Sequence, residues 1–485
     1  MTHLTALGAG FVWLDHAHLE GGLAIAKPSG WASLFTHGFA GTGYYRPMTA
    51  LSLSIDALIG GPFVFHLTSI AWHALAALLV LVVADLFGLT KRAALIAGVV
   101  FAVHPVSALV ADAIAFRSEA MTTCALLALV WAHEKKRPLL AALALLFGAL
   151  TKETAFVLAP LFIAAIEVSR RERDLAARKP VFAAEGAALA AAVVLRLAFA
   201  PAWRASHENL SAGPAIGTRL AALAKSVAAV VVPIDRSICD AFAITQPWQP
   251  AALAGLVALV ALAYGAYKKR GITLLLLLAV LPSLQLVPVM RWWSPHYAYV
   301  PLVFVAMLAG ETIDRLGAHA QRAAVAVIVV FAVMTANEGR RYADDVSLWT
   351  PEVAAQPACR EGHFYLGDVA RESKKWDDAA KHYEAATVAR PNVIAYVDRR
   401  AALQNLGTVR LEQHRWNDAR MVFLVALSGT QDEAARRELT HDLALATLEA
   451  GDPAEAARLL ETEVARPDAH PASIALRNLA LQRAK

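Results

Sequence analysis

Asp15 closes a run of apolar and aromatic residues that starts at Phe11, and His16 follows it directly. Arg46 stands between Tyr44, Tyr45 and Pro47, with Phe65, His66 and His73 further on. His104 and Pro105 lead through an apolar stretch to Arg117, Ser118 and Glu119. Leu150 and Thr151 precede Lys152, Glu153 and Thr154, and a fifth segment runs from Pro295 through His296, Tyr297 and Tyr299 to Pro301. A carboxylate such as Asp15 can take the proton of an attacking hydroxyl within hydrogen-bond reach. Arg offers a fork and Lys a point charge to a phosphate, and both stabilise negative charge as it develops. Each residue also has a plainer reading. Asp15 can be a solvated loop aspartate, Lys152 a snorkelling side chain, and Arg117 with Glu119 a structural ion pair. Arg46 can stack on Tyr44 or Tyr45, and His104 can be a hydrogen-bonded histidine that ends a helix.

The elements that hold these residues are set by composition. Hydrophobic residues make up 58% of the 485 and charged residues only 18%, against about 25% charged in ordinary soluble chains. The excess is confined to the region before about residue 337, whereas Asn337 to Lys485 reads as a soluble protein. Two domains follow, 1–337 in the membrane with an external loop at 14–64, and 338–485 outside the bilayer. The charge of +5 is small, and the basic run Arg170 to Lys179 reads as a solvated cytoplasmic loop, with no nucleic-acid meaning. Cys124, Cys239 and Cys359 form no CxxC, which argues against a zinc site or a disulfide framework.

A spanning helix needs ~20 apolar residues, and shorter ones occur where a bundle thins the bilayer. Ten spans are expected, roughly 65–87, 93–110, 118–133, 138–151, 154–168, 180–200, 251–267, 272–290, 297–313 and 323–336. The apolar segment 219–233 is left open. Lys91 and Arg92, Lys135 to Arg137, Arg170 to Lys179, Lys268 to Arg270, and Arg315 with Arg322 fall on one side if the N-terminus is external and 219–233 does not span. Asp15, Arg46, Arg117, Lys152, Arg291 and the whole second domain then share the external face.

In that second domain, Arg371 to Ala379, Leu411 to Ala419 and Leu448 to Ala456 align, with their final alanines 40 and 37 residues apart. Leu366–Gly367 and Leu406–Gly407 precede the first two, and Pro391 follows the first. This is a degenerate tetratricopeptide pattern, a helix pair with small residues where the helices cross. Such repeats present a concave surface to peptides or proteins.

The five membrane segments in this order, followed by the repeats, resemble the transmembrane and tetratricopeptide-repeat O-mannosyltransferases and their bacterial relatives, of the C-type glycosyltransferase fold. The resemblance implies an all-α polytopic transmembrane bundle followed by a soluble tetratricopeptide-like solenoid. It implies transfer of a sugar from a polyprenyl-phosphate donor to a protein or glycan hydroxyl presented by the repeats. The reaction would take place outside the cytoplasm, on the periplasmic face of a bacterial inner membrane. Asp15 becomes the catalytic base, and Lys152, Arg117 and Arg46 the donor-phosphate ligands. Glu119, Glu153, His104, Arg291 and Tyr297 support them, with Glu153 expected to pair with Lys152 or Arg117. No resident metal or cofactor is expected, apart from a divalent ion shared between an acid and the lipid phosphate, which is left open.

The departures from the family fall on acids and on a base. Leu14 stands where a first acid is usual, Leu109 replaces the acid of the His-Pro segment with Asp112 three residues on, and Phe116 replaces a glycine. The usual Glu-Arg is missing at Pro295–His296, which leaves Tyr297 and Tyr299 as belt aromatics; Arg291, with Trp292 and Trp293, stands where a headgroup contact or an interfacial anchor belongs. These losses support a rival expectation, a non-catalytic membrane scaffold whose repeats recruit envelope proteins. Leu4 to Trp13 covers only ~15 Å at 1.5 Å per residue, about half the ~30 Å apolar core, so the natural chain is expected to start further upstream.

Overall fold

The computed structural model describes residues 2–170, 175–200, 210–268, 271–286 and 291–485. Among the described residues the fold is all-α apart from one two-stranded pairing, between Phe242–Ala243 and Val393–Ile394. Among the described residues, seven helices are long and apolar enough to cross a membrane, and paired helices follow residue 345. The chain divides into two compact units: residues 1–238 with 243–348, and residues 239–242 with 349–485.

In the first unit the seven are Pro62–Leu86, Ile114–Glu134, Ala176–Phe199, Ala212–Val231, Pro250–Lys268, Pro295–Leu316 and Ala318–Ala343. Ile114–Glu134 is the centre, with 83% of its most apolar stretch inside the protein against 6% for Ala318–Ala343. The outer helices turn Leu256, Val257, Val260, Val325, Val329 and Val333 outwards, the apolar surface a bilayer would cover. Small residues let helices meet closely. A Cβ on Gly255 would lie 1.9 Å from the Leu220 carbonyl oxygen, and one on Gly310 2.3 Å from that of Ala93.

Three expectations change. The segment 219–233 belongs to Ala212–Val231, a 20-residue apolar helix that qualifies as a span, so the orientation no longer follows from a count of ten. The segment 93–110 is two helices, Lys91–Val103 and Ser107–Asp112, because Pro105 cannot continue the first. In the basic run, residues 171–174 lie outside the described residues, as do Lys269 and Arg270. Its remainder is no solvated loop: Leu175–Phe199 is helical, and Arg178 is buried, donating to the His133 carbonyl.

The second unit is built from stacked helix pairs. Arg360–Glu372 packs on Trp376–Thr387, Arg399–Glu412 on Trp416–Ser428, and Glu433–Glu449 on Pro453–Leu459. Ala379, Ala419 and Ala456 are each fully buried. Gly367 faces the Tyr383 ring and Gly407 the Phe423 ring, where an added Cβ would come within 2.7 and 2.4 Å. The turn within each pair has the same form. Lys374, His414 and Gly451 take φ of 56°, 57° and 90°. The next residue's amide reaches back, Lys375 to Ala370, Arg415 to Arg410 and Asp452 to Thr447, at 2.8 to 3.1 Å. This is the left-handed helix terminus that glycine adopts without strain. Leu406 and Val409 of the second pair share a core with Ala379 and Tyr383 of the first, so each pair completes its neighbour's interior.

These turns and crossings predict opposite effects of two substitutions. His414→Gly should raise stability by ~1 kcal/mol by removing left-handed strain. Gly407→Ala should lower it by ~1–3 kcal/mol, because the buried Phe423 ring has nowhere to retreat. Urea unfolding of the detergent-solubilised chain measures both, and an unchanged midpoint for Gly407→Ala would show that the ring gives way.

Candidate functional site

Glu119 lies in the first turn of the buried central helix, where a carboxylate must find a cation. Lys152 supplies it. The helix Pro138–Thr151 stops at Lys152, whose extended backbone aims the side chain back at Glu119, and Nζ pairs with Glu119 Oε1. His296 approaches the same oxygen, with Nε2 at 3.6 Å. Its Nδ1 lies 2.6 Å from Ser294 Oγ, and its ring packs at 4.8 Å on Phe116.

A second pair lies one residue along. Glu153 Oε2 accepts from Arg46 Nε at 2.9 Å and Nη2 at 2.8 Å, and Oε1 accepts from the Tyr45 amide. The Arg46 guanidinium stacks 4.2 Å above the Tyr44 ring, so both readings of Arg46, anion partner and aromatic stack, describe the same side chain. Arg46 also lines a cavity of about 180 Å³ walled by Ile25, Leu34, His37 and Phe39 of the 14–64 loop. Burial pulls the Lys152 ammonium below its ordinary value, opposed first by Glu119, with Arg46 and Glu153 close enough to act on it.

Asp15 is 1% exposed. Its Oδ1 accepts from the Ala115 amide at 3.0 Å and Oδ2 from the Val12 amide at 3.4 Å. Burial outweighs these bonds and pushes the carboxyl up to about 7, near the value a general base needs at neutral pH. Asp345 clamps the neighbourhood, accepting from the Trp13 amide at 2.9 Å and lying 2.6 Å from His16 Nε2. The hydrogen bond to Asp345 raises His16 to about 9, so that imidazole is charged at neutral pH.

The other expected residues fall as follows. Glu153 pairs with Arg46, not with Lys152 or Arg117. Arg117 is fully buried and turned inwards, bonding Asp56 Oδ2 at 2.5 Å, Ser69 and Ser52 hydroxyls and the Phe65 carbonyl. It is spent on tying Pro47–Ile59 and Pro62–Leu86 to the central helix. His104 ends a helix, accepting from the Val106 amide and reaching the Val230 carbonyl at 2.9 Å. The Arg291 guanidinium sits 4.8 Å above the Trp13 ring, and Tyr297 donates to the Arg291 carbonyl. Tyr299 is no belt aromatic, since it is fully buried and bonded to His73 at 2.7 Å. Trp292 and Trp293 are buried too, so they do not anchor at an interface. Leu14 is half-buried beside Asp15, and Asp112 bonds His3 at 2.9 Å rather than any site cation. His296 and Asp56 were given no site role from the sequence. Asp56 had a signal, an acid within an apolar helix, whereas His296 had only its place beside Tyr297.

Against known proteins the chain is 35% identical over 115 residues to the protein O-mannosyl-transferase Tmtc2 of Drosophila melanogaster, covering 21% of this chain and 12% of that one. It is 35% identical over 115 residues to Tmtc1 of the same fly, covering 21% and 13%. It is 28% identical over 142 residues to TMTC3 of Mus musculus, covering 27% and 15%. The chain is distantly related to these transferases. The matches span about an eighth of the length of the fly proteins. No family model matches the chain, and no solved structure does.

Asp15 provides a direct test of this geometry. Its carboxyl should be protonated at pH 5 and ionised at pH 9, with the change centred near pH 7. Infrared difference spectra of wild type against Asp15→Asn report the carboxylic C=O band. An Asp15 that is fully ionised at pH 5 would mean that water reaches it and that burial does not govern it.

Proposed function

We propose that this chain is a membrane glycosyltransferase that moves a sugar from a polyprenyl-phosphate donor to a protein or glycan hydroxyl. The observation that carries the reading is the gathering of Lys152, Glu119, His296, Arg46 and Glu153 at helix ends, with Asp15 held near neutral pKa. The distant relation to O-mannosyl-transferases supports the reaction class. In the reaction the acceptor oxygen bonds to the anomeric carbon as the carbon–phosphate oxygen bond breaks. The hydroxyl proton passes to Asp15, and polyprenyl phosphate leaves with the bonding pair. Lys152 is the main phosphate ligand, because an ammonium has three donors and Glu119 takes one. Arg46 borders the cavity through which a substrate can approach. Arg117 is assigned to positioning, Glu119 and Glu153 to holding the two cations. His296 joins the Glu119 pair, while Arg291 and Tyr297 brace the wall around Trp13. The repeats, read as tetratricopeptide-like, present the acceptor on the external face.

The scaffold reading keeps one observation in its favour, the leucine at position 14 beside a base that is itself buried. Transfer assays separate the two. With purified protein, a polyprenyl-phosphate sugar and envelope-protein acceptors, Asp15→Asn should reduce transfer by ~10²-fold or more. Lys152→Ala should weaken donor binding, with Lys152→Arg keeping part of it. Wild-type activity should fall as pH drops through about 7, since the base is then protonated. Intact-glycan mass spectrometry of envelope proteins with and without the gene identifies sugar and acceptor, and identical glycans in both would favour the scaffold.

The side on which the repeats lie is tested separately. Gln431 is exposed, and with Cys124, Cys239 and Cys359 replaced, Gln431→Cys should react with a membrane-impermeant maleimide in intact cells. Reaction only after permeabilisation would put the repeats in the cytoplasm.

A further inference from the structure

Cys239 and Cys359 are 120 positions apart in sequence, yet both belong to the second unit and both are buried. Their sulfur atoms and an oxygen of Asp240 lie within 4.8 Å of one another. The short segment around Cys239 is pinned in place before any covalent bond is considered. Asp240 Oδ1 accepts from the Glu361 amide at 3.1 Å, and Oδ2 accepts from the Tyr396 and Val397 amides at 2.8 and 3.1 Å. Gln356 Nε2 donates to the Ala241 carbonyl at 3.3 Å. Cys359 is held on the other side, where it precedes the helix Arg360–Glu372 and its amide bonds the Gln356 carbonyl at 2.8 Å.

The same three residues would suit a thiophilic cation, and the hydrogen bonding argues against one. A metal needs deprotonated ligands, whereas both Asp240 oxygens already serve three backbone amides. The Cys359 thiol is pushed far above its ordinary range by its neighbour Cys239 and by burial, which keeps it a thiol. Two thiols side by side, on backbones fixed by other bonds, are placed to be joined.

We infer that Cys239 and Cys359 form a native disulfide that staples the segment 239–242 to the start of the helix Arg360–Glu372. The inference rests on the proposed external location of the repeats, where disulfides form and persist. The two thiols lose two protons and two electrons to the disulfide of a thiol–disulfide oxidoreductase. One thiolate attacks the oxidoreductase sulfur, the second displaces it, and the oxidoreductase leaves as a dithiol. The exchange takes place during folding, before both sulfurs are enclosed. Cys124 has no part in it, being buried in the central helix and bonded to the Trp72 carbonyl at 3.4 Å.

Peptide mapping of the full chain, extracted from membranes under alkylating conditions without reductant, tests the bond. The expected result is a Cys239–Cys359 linked peptide with Cys124 alkylated. Dithiothreitol should lower the melting temperature of the wild type by several degrees and leave Cys239→Ser unmoved. Alkylation of both cysteines in that extract overturns the native bond, and glutathione disulfide then identifies the cause. Stoichiometric linkage of the purified chain by glutathione disulfide would mean that the external location is wrong. Refusal to link, with the chain held in enough urea to open the second unit reversibly so that the reagent reaches both sulfurs, would mean that the geometry is wrong. Stoichiometric zinc in the purified chain, released on alkylation, would overturn the disulfide in favour of a metal.

Discussion

Everything around the site depends on the buried pair of Glu119 and Lys152. Glu119 is presented by the helix most enclosed in the bundle, where an isolated carboxylate would be removed from water at a cost of several kcal/mol. The pair offsets that cost only if Lys152 is delivered from outside the helix, and the abrupt end of Pro138–Thr151 does so. The adjoining residue, Glu153, then requires its own cation, and Arg46 comes to it from the 14–64 loop. Arg117, two residues before Glu119 on the same helix, adds a third pair with Asp56. Removing one partner of such a pair leaves the other charged and buried, which costs roughly 3–5 kcal/mol. Positions of the surrounding helix ends are thereby tied to charge neutrality and not to apolar packing alone.

The second unit follows a different logic, because its helices carry polar faces and gain stability by stacking. The left-handed residue at each turn sets the angle between paired helices, and the buried alanine and facing ring set their separation. Where the ring is large, as in Tyr383 and Phe423, the opposing helix carries glycine. Spacing of 40 and 37 residues recurs in the alanines and in Lys374, His414 and Gly451 alike. Both therefore belong to a single repeating unit.

Periodic features were readable in the sequence and isolated long-range contacts were not. Apolar length announced most of the membrane helices, and the aligned alanines announced the helix pairs. Proline at 105 split a stretch that composition alone joined, and Ala212–Val231 was obscured because Arg219 and Lys225 interrupt its apolar run. Which acid meets which cation depends on side chains brought together from far along the chain, as with Arg46 and Glu153. Local spacing suggested Lys152 or Arg117 for Glu153, since those are near in sequence or in type. Tyr299 and the tryptophans at 292 and 293 looked interfacial because aromatic residues favour that zone, but in the fold they fill the interior. The cysteines show the same limit. Without a CxxC they argued against a disulfide framework, and only the fold places two of them side by side.

Charge conservation relates the separate parts of the site under the transferase reading. Glu119, Glu153, Lys152 and Arg46 cancel, so the resting cluster has no net charge with which to meet the phosphodiester of a lipid-linked sugar. Transfer turns that diester into a monoester and adds one negative charge at the phosphate. In the same step Asp15 gains the hydroxyl proton and loses one negative charge. The reaction thus moves a charge from a carboxylate in an apolar setting towards Lys152, with no net change in the enclosed region. A base of ordinary carboxylate acidity would oppose that movement, because its ionised form is too stable in competition for the proton. Raising Asp15 to about 7 brings its protonated form within easy reach, and burial is what raises it. The enclosure that makes the Glu119 pair necessary is the same physical condition that tunes Asp15 for proton transfer.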